Sequence, residues 1–266
     1  MRFSSIVICG PGKVRPENQD NFYLNGVFRN DLSDNGLQRI QNRAVGQALY
    51  AIADGMGGQT HGETASFYTV RDMDSIDLSV GYQGVISYLM DCNEEICRFI
   101  DSNKGVRSGS TFVGLYFNGS EVSVINIGDS RAYRLRGTWF CQISKDHTAV
   151  QRMLNMGLIR KEQLRTHPER HKLSQHLGIF PDEMIIEPYS ATDSLLPGDL
   201  YLLCSDGLYE MVEDEEIQNA LLMGGSISDK ATELYQRAME RGGVDNITVM
   251  LIEVESEEQI PIDATI

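Results

Sequence analysis

The stretch "TFVGLYFNGSEVSVINIGDSRAYRLRGTWFCQIS", residues 111–144, decides the fold. Its apolar runs are short, rich in β-branched and aromatic residues, and bounded by Gly, Asn, Asp or Ser, which is the pattern of strands. The polar links between the runs are brief, "NGSE" between Phe117 and Val122 and "RGT" between Leu135 and Trp139. Links that short join antiparallel neighbours, whereas a parallel pair needs a crossover of about a dozen residues or more. Antiparallel sheets are therefore expected.

Working outward, the same signature marks "SSIVICG" at 4–10, "ALYAIAD" at 48–54, "DLYLLCSD" at 199–206 and "NITVMLIEV" at 246–254. A helical period takes over at 82–101, where Val85, Leu89, Cys92, Ile96 and Ile100 recur every three or four residues and line one face. Two later helices are expected at 214–223 and 228–241, the second stopped by Gly242 and Gly243. Helices of this kind cover the outside of sheets, which gives an α+β class. Residues 145–189 break the rhythm: they are locally basic, carry four of the five histidines, and offer only a short helix at 149–156 before irregular chain. Inside a compact domain such a segment reads as a functional flap. Large β folds often run to 266 residues around one core, so residues 1–255 are expected to form a single domain and 256–266 an acidic tail.

A net charge of −15 argues against nucleic acid or an anionic membrane surface as a partner, because phosphate would be repelled over most of the molecule. The five cysteines are odd in number and contain no CxxC pair, which favours reduced thiols in a reducing compartment. The opening "MRFSSIVICGPG" has too short an apolar run for a signal sequence, and no later run approaches the ~20 residues needed to span a bilayer. A cytoplasmic location is expected.

The chemistry is suggested by acids in one shared context. Asp54, Asp129 and Asp206 each end an apolar strand, Asp245 stands just before one, and Asp20 has no clear strand position. Antiparallel order can bring strand starts and ends to one edge, where such carboxylates must be neutralised by protons or cations. Oxygen ligands without accompanying Cys or His suit Mg²⁺ or Mn²⁺ better than Zn²⁺. The glycines of "DGMGG" after Asp54 and "DGL" at Asp206 permit tight turns and expose backbone carbonyls as further ligands. A single Asp-Gly is far more often a turn former than a ligand, so the weight rests on the joint pattern.

"CGPGKVRPENQD", residues 9–20, offers competing readings. Five residues separate Cys9 from Arg15, the spacing of a cysteine-phosphatase loop, but that loop needs its Arg to enter a helix, and here Pro16 and an extended "ENQDNFYL" follow. Cys9 reads as a buried strand residue. "GPGK" glances at a nucleotide-binding P-loop, yet Val14 follows Lys13 where Ser or Thr is required. "GDSRA" at Gly128 imitates a nucleophile elbow but leads into a strand instead of a helix.

Taken in order, "VRPENQD", "YAIADGMGGQTHGETAS", "SGSTFVG", "NIGDSRAYRLR", "ISKDHT", "HPERHKLSQHLG", "LLCSDGLYEMVEDEEI" and "GGVDNITVMLIEV" resemble the motif series of the metal-dependent serine/threonine protein phosphatases, the PPM or type 2C family, in its compact bacterial form, from about residue 10 to 254. The resemblance implies a central β-sandwich of two antiparallel sheets flanked on both faces by helices, with a two-metal site at one end. By motif position Asp54 would bridge two Mn²⁺ or Mg²⁺ ions, Asp206 and Asp245 would complete the first, and the Gly55 carbonyl the second. Asp20 would hold a metal-coordinated water, and Asp129 with Asp206 would form a weaker third site. Arg15 would grip the phosphate, and a hydroxide bridging the cations would attack phosphoserine or phosphothreonine. Implied partners are phosphoproteins, among them a serine/threonine kinase and its targets, acted on by a monomer.

Departures accompany the resemblance. Gln19 stands where Glu is common, and Met56 where animal members carry a histidine assigned as general acid, leaving water to protonate the leaving group. His61 is a candidate substitute, although a histidine in a Gly-rich turn is more often simply solvated. His147 is expected to order the start of the flap, and Thr111 and Ser130 to hydrogen-bond near the metals. A pseudophosphatase binding through the acidic cleft is the non-enzymatic alternative; its signature would be a missing acid, and Asp20, Asp54, Asp206 and Asp245 are all present.

Overall fold

A computed structural model describes residues 1–56, 61–104 and 106–255; most of the glycine turn after Asp54 and the acidic tail at 256–266 lie outside them. In chain order the strands and helices are β1 (Arg2–Gly10), β2 (Asp20–Leu24), β3 (Gln38–Val45), β4 (Ala48–Met56), α1 (Gly62–Val70), α2 (Tyr82–Ser102), β5 (Gly109–Ser110), β6 (Phe112–Asn118), β7 (Glu121–Ile127), β8 (Arg131–Arg136) and β9 (Trp139–Gln142), then α3 (Ala149–Asn155), β10 (Tyr189–Ser194), β11 (Leu200–Cys204), α4 (Asp206–Tyr209), α5 (Asp214–Leu222), α6 (Ile227–Glu240) and β12 (Ile247–Val254). One sheet runs β3-β1-β12-β11-β8-β9 and the other β10-β7-β6-β4-β2, with β5 paired onto β4. Every pairing is antiparallel, including the β6–β7 and β8–β9 hairpins expected from "NGSE" and "RGT".

The sheets stack face to face, and their strands are apolar on both sides because both faces are covered. In β4, Tyr50 and Ile52 point between the sheets to meet Val113, Leu115 and Phe117, while Leu49, Ala51 and Ala53 turn outward to α1 and α2. In β12, Met250 and Ile252 face inward, and Val249 and Leu251 meet the layer that contains Leu208, Ile217 and Leu234 of α4, α5 and α6. The period read in α2 is the buried face: Val85, Leu89, Ile96 and Ile100 pack on the second sheet. Full burial of Leu89 or Ile96 contributes about 2 kcal/mol each.

The elements that escape sequence reading are mostly polar. β3 and β10 are outer strands of the two sheets, and "QRIQNRAV" alternates exposed and half-buried residues along most of its length. Edge strands carry such polar character because their free side meets solvent. β2 lies within the "ENQDNFYL" stretch read as extended and is buried throughout. Asp206 does not end a strand: β11 stops at Cys204, Ser205 stays extended, and Asp206 opens α4. Asp129 likewise lies past the end of β7, in the turn to β8.

Antiparallel register brings the acids to one end of the sandwich. Asp20 at the start of β2 pairs with Asp54 near the end of β4. The start of β12 pairs with the end of β1 through Ile247 and Gly10, and the end of β11 with the start of β8 through Cys204 and Arg131. Asp129, Asp206 and Asp245 therefore emerge from the same edge.

Candidate active site

A cleft of about 630 Å³ opens at this edge, lined by Arg15, Asp54, Gly55, Asp129, Asp206 and Asp245 among others. Asp20 lies beneath it, fully buried. Its Oδ2 accepts hydrogen bonds from Ser205 Oγ at 2.8 Å and Thr248 Oγ1 at 2.6 Å, while Oδ1 has no partner among the described residues. Burial pushes the Asp20 carboxyl up to about 6, against the pull of those hydroxyls. Nearby, the buried guanidinium of Arg29 donates to the backbone carbonyls of Asn18, Asp20, Leu32 and Asp34, and so fixes the chain on either side of β2.

Asp54 is held through its backbone: its N–H donates to Thr111 Oγ1 at 3.0 Å, its carbonyl accepts from Thr111 N at 2.9 Å, and Thr111 and Ser130 hydroxyls lie 2.7 Å apart. Deep placement and then the charges of Asp20, Asp206, Asp129 and Asp245 hold its carboxyl well above the usual range. Asp206 is raised for the same reasons, burial first and Asp129 next. Burial, with Asp146 next, lifts Asp129 to about 7. Asp54 and Asp206 are half-buried, so solvent in the cleft moderates these shifts without reversing them.

Asp245 is gripped by Arg15, Nε to Oδ1 at 3.0 Å and a terminal nitrogen to Oδ2 at 2.8 Å. Among the described residues no three His, Cys, Asp or Glu side chains are gathered as a chelating cluster; the acids stand around the cleft. The donor set nonetheless fits hard divalent cations: it is all oxygen, it carries excess negative charge, and it includes one buried carboxylate oxygen left without a donor.

Residues singled out less clearly by the sequence complete the frame. Asn246 accepts from Gln19 N–H at 2.8 Å and donates to the carbonyls of Pro11 and Glu17, pinning the loop that carries Arg15 beside Asp245. An Asn directly after a candidate ligand and before a strand is the only local signal of this role. Gln19 lines the cleft, and its amide lies 3.4 Å from Glu63 of α1. Met56 lines the cleft as well; His61 does not, for it opens α1 with φ 80° and its ring meets Phe99 edge-on at 5.4 Å. The histidine that does line it is His171, in the segment 145–189. At the start of that segment the His147 N–H donates to Gly128 O at 2.8 Å and its carbonyl accepts from Ser174 N at 2.8 Å.

Cys9 is fully buried in β1, 3.2 Å from both Asn18 Nδ2 and Thr248 Oγ1, and burial raises its thiol to about 11. A nucleophilic cysteine needs exposure and a lowered pKa. Cys9→Ser is expected to keep phosphate-ester turnover within about twofold of wild type, since a buried residue away from the cleft touches no reacting atom. An inactive but folded variant, judged by its melting curve, would revive the thiol reading.

No protein-family model matches the chain. It is 32% identical over 254 residues to the serine/threonine phosphatase Stp of Listeria welshimeri, covering 91% of this chain and 92% of that protein. The crystal structure of the serine/threonine phosphatase PstP/Ppp of Mycobacterium tuberculosis superposes with a TM-score of 0.81 at 30% identity, over 96% of this chain and 100% of that one. A structure of the PstP catalytic domain in complex with two manganese ions superposes at 0.75 and 28% identity, over 96% and 100% of the two chains.

Proposed function

The chain belongs to the bacterial PPM family of metal-dependent serine/threonine protein phosphatases, and from that premise we propose that it hydrolyses phosphoserine and phosphothreonine esters of proteins in the acidic cleft. The observation that carries this reading is the convergence of Asp20, Asp54, Asp129, Asp206 and Asp245 from separate segments onto one strand edge, with oxygen as their only ligand type. Asp54 would bridge two cations, Mn²⁺ or Mg²⁺, with Asp206 and Asp245 on the first and the Gly55 carbonyl on the second. Asp129 and Asp206 would hold a third, more weakly. The bound cations would supply Lewis acidity toward water and toward the phosphoryl oxygens.

The chain's own groups prepare the site for that chemistry. Ser205 and Thr248 orient Asp20 so that its free Oδ1 can hold a water by hydrogen bonding. Arg15, half-exposed, would turn from Asp245 to the phosphate and grip it as a charged fork. A phosphate dianion is otherwise repelled from a cleft of this sign, so binding itself should require cations, which invert the local field. Residues 1–255 would form the catalytic unit and 145–189 its flap, whose Arg170 and His171 reach the cleft. Substrates would be phosphoproteins, a serine/threonine kinase and its targets included.

Hydrolysis of a phosphothreonine peptide by the purified protein tests this. Turnover is expected to vanish with a chelator and return with added Mn²⁺ or Mg²⁺. Turnover that persists after exhaustive chelation would overturn the assignment.

A further inference from the structure

A second cavity, of about 690 Å³, opens beside the cleft, and Met56 lines both. Its floor carries Met56, Ile100 at the end of α2, Val106 and Phe180, with Ser108 and His176 as the polar groups beside them. Its rim carries Asp101 and Glu183, both exposed, against the single cation Arg107 among the described residues lining it.

The walls are pre-formed. Ser110 and Leu177 exchange backbone hydrogen bonds of 3.1 and 2.8 Å, Gly178 N–H donates to Asn93 Oδ1 at 2.7 Å, and Asn93 Nδ2 donates to Ile179 O at 3.0 Å. A cavity held open in this way loses little entropy when it is filled. A mainly apolar floor of this size, continuous with a catalytic cleft, suits the side chains that flank a reacting residue, and an acidic rim suits cations among them.

Resting on the phosphatase reading, we propose that this cavity docks the chain flanking the phosphorylated residue of a substrate protein, taking an apolar side chain on its floor and a Lys or Arg against Asp101 and Glu183. The cleft reads the phosphate; the second cavity chooses which phosphoprotein is presented. Small aryl phosphates fill only the first.

The test compares three phosphothreonine peptides of equal length, with Leu and Arg beside the phosphothreonine, with Leu and Asp, and with Gly at both places. 4-Nitrophenyl phosphate is the control. Wild type is expected to show kcat/KM about tenfold higher for the Leu/Arg peptide than for the Leu/Asp peptide, with Gly/Gly between or below. Asp101→Lys combined with Glu183→Lys should reverse the charge preference, and Val106→Asp should remove the advantage of Leu, both leaving turnover of the aryl phosphate unchanged. Equal kcat/KM for the three peptides in wild type, or variants that slow aryl phosphate and peptides alike, would overturn the proposal. Binding of the same peptides, labelled and followed by fluorescence anisotropy, separates the two readings. If nothing is hydrolysed with Mn²⁺ or Mg²⁺, the phosphatase reading fails, and the docking proposal stands only if the Leu/Arg peptide still binds selectively and falls if all bind equally.

Discussion

Asp54→Asn is expected to lower turnover about a thousandfold while leaving the chelated protein at least as heat-stable as wild type. The two effects share one cause. In the proposed site Asp54 is the bridging ligand, and an amide offers a cation one neutral oxygen where a carboxylate offers two charged ones. Without cations the same carboxylate is a liability, for burial and the charges of Asp20, Asp206, Asp129 and Asp245 disfavour its ionised form. A carboxyl whose folded pKa is raised keeps its proton longer in the folded state, so its destabilising contribution is absent at low pH. That contribution grows as pH climbs above the unfolded value near 4. The stability advantage of Asp54→Asn over chelated wild type should therefore be larger at pH 8 than at pH 5. Adding Mn²⁺ should reverse the order, because a ligand that binds only the folded state raises its stability with concentration. Melting curves with chelator and with Mn²⁺ at both pH values, beside peptide turnover, check all of this. Near-normal turnover of the variant would sink the role of Asp54; an equal Mn²⁺ response in both proteins would sink the account of its charge.

Much of this arrangement is legible in the sequence because it is local. Short apolar runs ending in Asp, the hairpin links and the period of α2 each lie within a few residues, and the framework follows from them. The supports of the site do not. Asp20 takes its hydrogen bonds from Ser205 and Thr248, 185 and 228 positions away, and no pattern around any of the three announces the contact. Arg29 is buried among backbone carbonyls that only the folded loop brings together. Arg15, whose motif position suggests a phosphate ligand, is held by Asp245, a partner 230 positions away. The glycines carry a further meaning. Gly55 reads as a turn former exposing its carbonyl, but a Cβ there would stand 2.2 Å from Gly62 O and 2.5 Å from Gln19 O, so its first requirement is close backbone contact.

Gly207 shows that requirement in its strongest form, and Gly207→Ala is expected to cost about 3 kcal/mol of stability and on the order of a hundredfold in activity. A Cβ at Gly207 would lie 2.0 Å from the carbonyl oxygen of Asn246 and 2.9 Å from its carbonyl carbon. These are backbone atoms of the residue just before β12, which cannot swing aside as the tip of a long side chain would. Relief means moving the opening turn of α4 away from β12 by an ångström or more. That gap is bridged by Thr248 N–H donating to Ser205 Oγ at 3.0 Å and Ser205 N–H donating to Thr248 O at 3.2 Å, and both hydroxyls also hold Asp20. Asp206 precedes the glycine and Asp245 precedes Asn246, so one methyl group would separate two acids proposed to share a cation and loosen the anchor of a third. The loss should appear as a higher Mn²⁺ concentration for half-maximal activity as well as a lower maximum, with the melting curve of the chelated protein shifted down. Gly224→Ala is the control: beyond its chain neighbours no atom of the described residues stands within 4 Å of a Cβ there, and its stability and Mn²⁺ response should match wild type. A Gly207→Ala protein with the wild-type Mn²⁺ requirement would mean that contact between these two backbones is not what sets the spacing of Asp206 and Asp245.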